Sequence, residues 1–249
     1  SSCMRFNWGI AKSLAIYYGI PFRARRLRRF YAQFLQPGEL AFDIGAHVGN
    51  RVRAFRANGA RVVAVEPQQS CLEVLERFYG SDSEVTIEAC GVGRSSGTAE
   101  LKICRESPTL STISDSWIST VKAAGNFDEI SWDESETIAL VTLDQLISRY
   151  GEPQFVKIDV EGSEADVLAG LSIALKALSF EFLPAAIDSA LASLERLEEL
   201  GAYEYNLSRV ETLTLDQDQW VDARQIRHQL EALEPTAPSG DIYARRVEP

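Results

Sequence analysis

Two rhythms of apolar and polar residues divide the 249-residue chain. Near the N-terminus, Leu27, Phe30, Tyr31, Phe34 and Leu35 recur at helical spacing, which predicts helices over roughly 7–19 and 22–35 with one buried stripe. After the break QPGE the period shortens. The apolar run LAFDI (40–44) predicts a strand that runs into glycines. RVVAV (61–65) and EVTIEA (84–89) predict two more strands, with a helix over CLEVLERF (71–78) between them. Strands alternating with helices are the rhythm of a parallel sheet.

Residues 91–137 interrupt that rhythm. GVGRSSGTAELKIC predicts a small hairpin. The Ser/Thr/Asp-rich stretch that follows predicts a long surface insertion at about 105–137, which reads as a lid, an acceptor-binding flap or plain ornament. The alternation resumes with a strand over IALVTL (138–143), a short helix from Asp144 and a strand over FVKIDV (155–160). A long helix over SEADVLAGLSIALKAL (163–178) follows, with Ser163 and Asp166 as its capping arrangement. The strand LSFEFL (178–183), a helix within 185–200, strand candidates YEYNL (203–207) and ETLTL (211–215), a polar helix around 220–233 and a last strand DIYAR (241–245) complete the reading. The expected organisation is a helical extension over 1–37 and one α/β domain over 38–249.

Composition narrows the partners. A hydrophobic fraction of 45% and a charged fraction of 24% fit an ordinary globular protein. The net charge of −11 repels a phosphate backbone, so nucleic acid is not an expected partner. FRARRLRRF (22–30) is a local exception, able to meet an anionic head group or an acidic acceptor. The apolar stripe among its arginines reads instead as a buried face with the arginines on the wet side. Cys3, Cys71, Cys90 and Cys104 are scattered without a CxxC pair, and the two histidines, His47 and His228, complete no zinc site; this reads as reduced thiols in a cytoplasmic protein. SLAIYYGI is too short to span a bilayer, so no stable membrane insertion is expected.

FDIGAHVGN (42–50) sets Asp43, Gly45 and Gly49 between a strand and a helix. Glycine lets the backbone take positive φ and approach a ligand closely, and the first N–H groups of the helix point at that ligand. Glu66 stands 17 residues beyond Gly49 at the end of the second strand, near the offset of about 20 at which an acid meets ribose hydroxyls. The pattern D-x-G-x-x-x-G is not the GxGxxG of a dinucleotide site, and an acid at its head suits the cationic S-adenosylmethionine better than NAD. In VKIDVEGSE (156–164), Lys157, Asp159 and Glu161 alternate with apolar residues and share one strand face. Three buried charges without partners would cost roughly several kcal/mol each. They therefore face a site, or Lys157 pairs with Asp159 or Glu161 to brace the sheet.

The stretches FDIGAHVGN, VVAVEPQ, VTLDQLI and FVKIDVEGSEADVLAGL, with a weaker echo in GDIYARR, resemble the FkbM family of class I S-adenosylmethionine-dependent methyltransferases. The resemblance spans residues 40 to about 245. It implies a Rossmann-like, mostly parallel seven-stranded sheet flanked by helices, with an antiparallel final hairpin. It also implies O-methylation of a hydroxyl on a sugar, polyketide, lipid or similar acceptor, a small molecule or glycan. S-adenosyl-L-methionine would be held by Asp43, Gly45, Ala46, His47, Gly49, Asn50, Glu66, Pro67 and Asp159, with Glu88, Ala89 and Cys90 bordering the adenine. Asp159 is the first candidate for base or metal ligand, Glu161 the second, and Lys157 orients them; Asp159 and Glu161 together form a candidate Mg²⁺ site. His47 reads as a base or as a brace of the loop. A non-catalytic nucleotide-binding scaffold and an NAD-dependent oxidoreductase are the alternatives.

Overall fold

The computed structural model describes residues 8–20, 22–104, 111–123, 131–209 and 213–249. Helices α1 (Trp8–Tyr18) and α2 (Arg23–Tyr31) lead into β1 (Leu40–Ile44), α3 (Asn50–Ala57), β2 (Arg61–Val65), α4 (Gln69–Tyr79) and β3 (Val85–Glu88). Next come β4 (Gly91–Val92), β5 (Gly97–Ile103), α5 (Asp115–Ala123), β6 (Glu134–Val141), α6 (Leu143–Tyr150), β7 (Phe155–Ile158) and α7 (Glu164–Ala169). The chain ends with β8 (Ala177–Phe182), α8 (Ile187–Leu200), β9 (Tyr203–Arg209), α9 (Ala223–Glu231) and β10 (Gly240–Arg246). The main sheet has seven strands in the order β3-β2-β1-β7-β8-β10-β9. β10 runs antiparallel to β8 and β9, and the remaining neighbours are parallel. This is the α/β architecture expected. Among the described residues no helix is long and apolar enough to cross a membrane.

Strand alternation divides the core into two layers. Phe42, Ile44, Val63, Val65, Val156 and Ile158 face Leu146, Val167, Leu168 and Leu194 of the helices on one side. Ala41, Val62, Ala64, Phe155 and Tyr243 face Leu27, Phe30, Tyr31 and Phe55 on the other. The predicted stripe of α2 is buried there, and the Phe34 ring, just past α2, stacks 4.9 Å from Phe155 and 5.4 Å from Tyr243. Each fully buried side chain of this size contributes about 1.5–3 kcal/mol, so α2 is fastened to the sheet.

Several local expectations are corrected. The hairpin over 91–104 does not form, because β4 and β5 both pair with β6, in parallel and antiparallel sense, to make a separate three-stranded sheet. Leu101, Ile103 and Ile138 give that sheet its own small core. β6 starts at Glu134, so the end of the expected insertion is strand.

The helix expected over 163–178 stops at Ala169. Gly170 is the cause: a Cβ there would stand 2.4 Å from the Gly93 carbonyl oxygen, and the chain turns at this contact toward β8. Ser163 caps nothing with its side chain; the Glu164 carboxylate accepts from the N–H groups of Val160 (3.3 Å) and Gly162 (3.1 Å) instead. The strand over 155–160 ends at Ile158, since Glu161 turns to a φ of 50°. Of the strand candidate 211–215, residues 211 and 212 lie outside the described residues and 213–215 are not strand.

Candidate active site

The carboxyl ends of β1, β2 and β7 open onto one cleft. Its walls include Ile44, Gly45 and His47 after β1, Glu66, Pro67 and Gln68 after β2, Cys90 and Val92, and Asp159 and Val160 after β7. Leu101 and Ile138 of the small sheet, with Ser111, Thr112 and Ile113, complete it. Gly45 has a φ of 82°, and a Cβ there would stand 1.8 Å from the Asp159 carbonyl oxygen. The glycine turn and the acidic strand tip therefore touch through their backbones, an approach that only glycine permits.

His47 links the two tips and holds a φ of 50°. Its N–H donates to Glu66 Oε1 at 2.9 Å, and Glu66 Oε2 accepts from the Gln68 N–H at 2.9 Å. The imidazole lies between two acids, with Nδ1 3.6 Å from Glu66 Oε1 and Nε2 3.7 Å from Asp159 Oδ2. Burial pulls the imidazole down, but Asp159, then Glu66 and Asp43, outweigh it and raise it from 6.5 to about 9. Burial likewise pushes Asp159 up, yet His47 and Lys157 hold it well below the usual carboxylate range. At neutral pH the two form an ion pair. Asp159 Oδ1 is buried, and the carboxyls of Glu161 and Glu181 stand within hydrogen-bonding reach of the Asp159 side chain.

Lys157 pairs with neither Asp159 nor Glu161, which corrects both expected braces. Its Nζ donates to Asp241 Oδ1 at 2.9 Å, in a buried pair between β7 and β10. Lys157 shares its sheet face with Phe155, so it points into the layer occupied by α2 and α3. Asp43, register partner of Lys157 across β1 and β7, is 1% exposed, and burial raises it to about 6.

A second chamber lies beside the cleft. Trp117, Glu161, Gly162, Glu164, Glu181, Phe182, Leu183, Ala186, Ser189 and Ala190 line it. The insertion shapes it: Thr112 Oγ1 donates to the Glu161 carbonyl oxygen at 2.5 Å, and Trp117 lies on Gly162, where a Cβ would stand 2.4 Å from the indole. Burial, reinforced by neighbouring acids, raises Glu161 and Glu181 well above the usual carboxylate range. Burial thus favours the protonated form of Glu161, which sets it behind Asp159 as a base. His47, Asp159 and Glu161 each bring a polar atom within 4.8 Å of the others, so the chambers meet at this trio.

Of the expected cofactor residues, Gly45, His47, Glu66, Pro67, Cys90 and Asp159 stand on the cleft wall. Asp43, Ala46, Gly49 and Asn50 are buried behind it, and Gly49 is covered by Tyr79, Leu75 and Tyr18. Ala89 is exposed. Glu88 is held by Arg149 at 2.8 Å and by the Tyr150 hydroxyl, away from the cleft. Asp241, Glu181, Trp117, Leu101 and Ile138 were not legible as site residues.

The walls suit a sulfonium nucleoside. They carry the carboxylates Glu66 and Asp159, apolar surfaces for a base and, among the described residues, no Lys or Arg to hold a diphosphate. The trio suits Mg²⁺ poorly. That ion takes oxygen ligands in near-octahedral geometry at about 2.0–2.1 Å, whereas His47 brings a nitrogen that is protonated at neutral pH.

No curated protein matches the chain in sequence. Among solved structures it is similar to the precorrin-6y C5,15-methyltransferase of Geobacter metallireducens, at 14% identity and a TM-score of 0.47, covering 92% of this chain and 90% of that one. It is similar to an O-methyltransferase of Bacillus cereus in complex with SAH, at 8% identity and 0.46, covering 99% and 94%. An rRNA methylase of Streptococcus thermophilus follows at 12% identity and 0.45, covering 89% and 94%. At these TM-scores the likenesses say nothing about chemistry. The methyltransferase FkbM domain matches residues 43–202, from the acid of the glycine turn to the start of β9, and the chain belongs to that family of S-adenosylmethionine-dependent methyltransferases.

Proposed function

We propose that the protein transfers the methyl group of S-adenosylmethionine to a hydroxyl oxygen of a neutral small molecule or glycan, which enters through the chamber beneath Trp117. The observation that carries this reading is the place of Asp159. It stands on the wall of the cofactor cleft and adjoins Glu161 of the second chamber, so that one carboxylate borders both spaces.

The cofactor, when bound, supplies a methyl group already activated by its sulfonium. What remains for the chain is alignment, worth about 7–11 kcal/mol in well-oriented reactions, and removal of the hydroxyl proton. Glu66 has spare lone pairs for the ribose hydroxyls beyond the two N–H groups it accepts. Asp159 Oδ1 accepts the hydrogen bond of the acceptor hydroxyl and then its proton. Glu161 and Glu181 hold neighbouring hydroxyls, and Trp117 covers an apolar face. No step passes through a metal. Among the described residues the second chamber is lined by no Lys, Arg or His, which disfavours phosphorylated acceptors and nucleic acid. Cys71, Cys90 and Cys104 are buried and outside any disulfide, in keeping with a cytoplasmic setting.

Methyl transfer from labelled S-adenosylmethionine to a panel of neutral sugars and alcohols tests the reading. Asp159→Asn should cut turnover by about 10²–10⁴ with cofactor affinity kept; undiminished turnover in that variant refutes it. Cofactor binding with no transfer to any acceptor would favour the scaffold alternative.

A further inference from the structure

The chain separates its charge sharply. Residues 1–38 hold seven cations (Arg5, Lys12, Arg23, Arg25, Arg26, Arg28 and Arg29) and no carboxylate, so with a total of −11 the remaining residues carry −18. The same segment gathers exposed apolar surface. Seven large apolar side chains are exposed among the described residues, and four of them are Trp8 (78%), Ile16 (42%), Ile20 (48%) and Phe22 (70%). A fifth, Phe78, packs on Tyr18 with ring centroids 5.6 Å apart.

The exposure is organised. In α1 the exposed positions 8, 12, 15 and 16 follow one another at helical spacing and form one face. Phe22 stands at the turn between α1 and α2, held at a φ of 66°. A bulky residue in the left-handed region is strained and persists where its surroundings or its function require it. Arg25 lies 5.9 Å from the Phe22 ring centroid. Positions 22, 25, 28 and 29 lie three or four residues apart along one side of α2, and all four are exposed. The buried stripe of α2, with Leu27, Phe30 and Tyr31, fastens this turn to the sheet.

We propose that α1, the Phe22 turn and the arginine face of α2 form a docking surface for an anionic lipid bilayer, with Ile16, Ile20 and Phe22 entering the interface and Arg25, Arg28 and Arg29 meeting the head groups. Apolar and aromatic side chains beside arginines are what an interfacial helix presents to a membrane. A nucleic-acid surface needs the arginines but gives Ile16 and Ile20 no work, and the strongly acidic remainder of the chain repels a long polyanion. Docking here places the site close to the bilayer, because Tyr18 of α1 donates to the Val48 carbonyl oxygen at 2.9 Å inside the glycine turn.

Sedimentation of the full chain with vesicles tests this. Vesicles of phosphatidylcholine with about 30% phosphatidylglycerol should bind at least about tenfold more strongly than pure phosphatidylcholine vesicles, and salt should weaken the binding. Arg25→Glu with Arg29→Glu should reduce that binding at least about tenfold, and Phe22→Ser should reduce it severalfold, each with an unchanged melting temperature. Ile173→Ser, an exposed site far along the chain, should leave binding as it is. Failure to bind anionic vesicles overturns the proposal. So does binding indifferent to Phe22→Ser, and so does tighter, arginine-dependent binding of a single-stranded RNA oligonucleotide, which would mark a nucleic-acid surface.

Discussion

Gly45 and Asp159 lie so close that a Cβ on the first would stand 1.8 Å from the carbonyl oxygen of the second. Ordinary van der Waals contact of a Cβ is at 3.4–4 Å, and the φ of 82° adds backbone strain for any other residue. Gly45→Ala should therefore push the tips of β1 and β7 apart. The expected result is a loss of roughly 1–3 kcal/mol in stability and at least about tenfold in S-adenosylmethionine affinity, read by denaturant unfolding and calorimetric titration.

The His47 and Asp159 ion pair gives the protein a pH signature. A raised imidazole contributes stability that is fully present below its ordinary 6.5 and lost as pH rises through about 9. Asp159 works in the opposite direction, its contribution being present above 3.8 and lost as pH falls through its depressed folded value. The melting temperature of the wild type relative to His47→Gln should thus fall between pH 6.5 and 9. Turnover should rise over the same interval, because Asp159 becomes a stronger base once its cationic neighbour is neutral. A flat difference in melting temperature would contradict the pairing.

Lys157 and Asp241 form a buried pair between strands 84 residues apart. Removing one partner of such a pair costs about 3–5 kcal/mol, because the other is left charged and dry. Lys157→Met should destabilise the fold by that amount, and adding Asp241→Asn should restore part of it. A double-mutant cycle in urea measures the coupling.

Trp117 rests on Gly162, which has a φ of 98° and no room for a Cβ. Gly162→Ala should displace the indole and raise the acceptor KM severalfold, with cofactor affinity unchanged. Steady-state kinetics together with tryptophan fluorescence would show both effects.

The parts of this account written locally in the chain were legible in advance. The short apolar runs LAFDI and RVVAV gave the strands, and the glycines of FDIGAHVGN gave the turn, because both follow from the backbone near each residue. Asp241 and Glu181 escaped notice, since their nearness to Lys157 and Asp159 depends on β8 lying between β7 and β10 in the sheet. A signal was present in the alternation of Phe180, Glu181 and Phe182, which sets the acid on the face opposite the two rings. Leu101 read as a residue of a local hairpin and Ile138 as the start of a separate strand, because the pairing of β6 with both β4 and β5 joins segments far apart in the chain. Gly170 looked like a tolerated helix interior, when the Gly93 carbonyl in fact stops the helix there.

Hydrogen exchange across the backbone, with and without S-adenosylhomocysteine, tests the shared cleft most directly. Amides of 44–48, 66–68, 90–92 and 159–160 should slow together on binding. If the nucleoside binds and those four stretches exchange as before, the cofactor lies elsewhere and the roles given to His47, Glu66 and Asp159 are wrong.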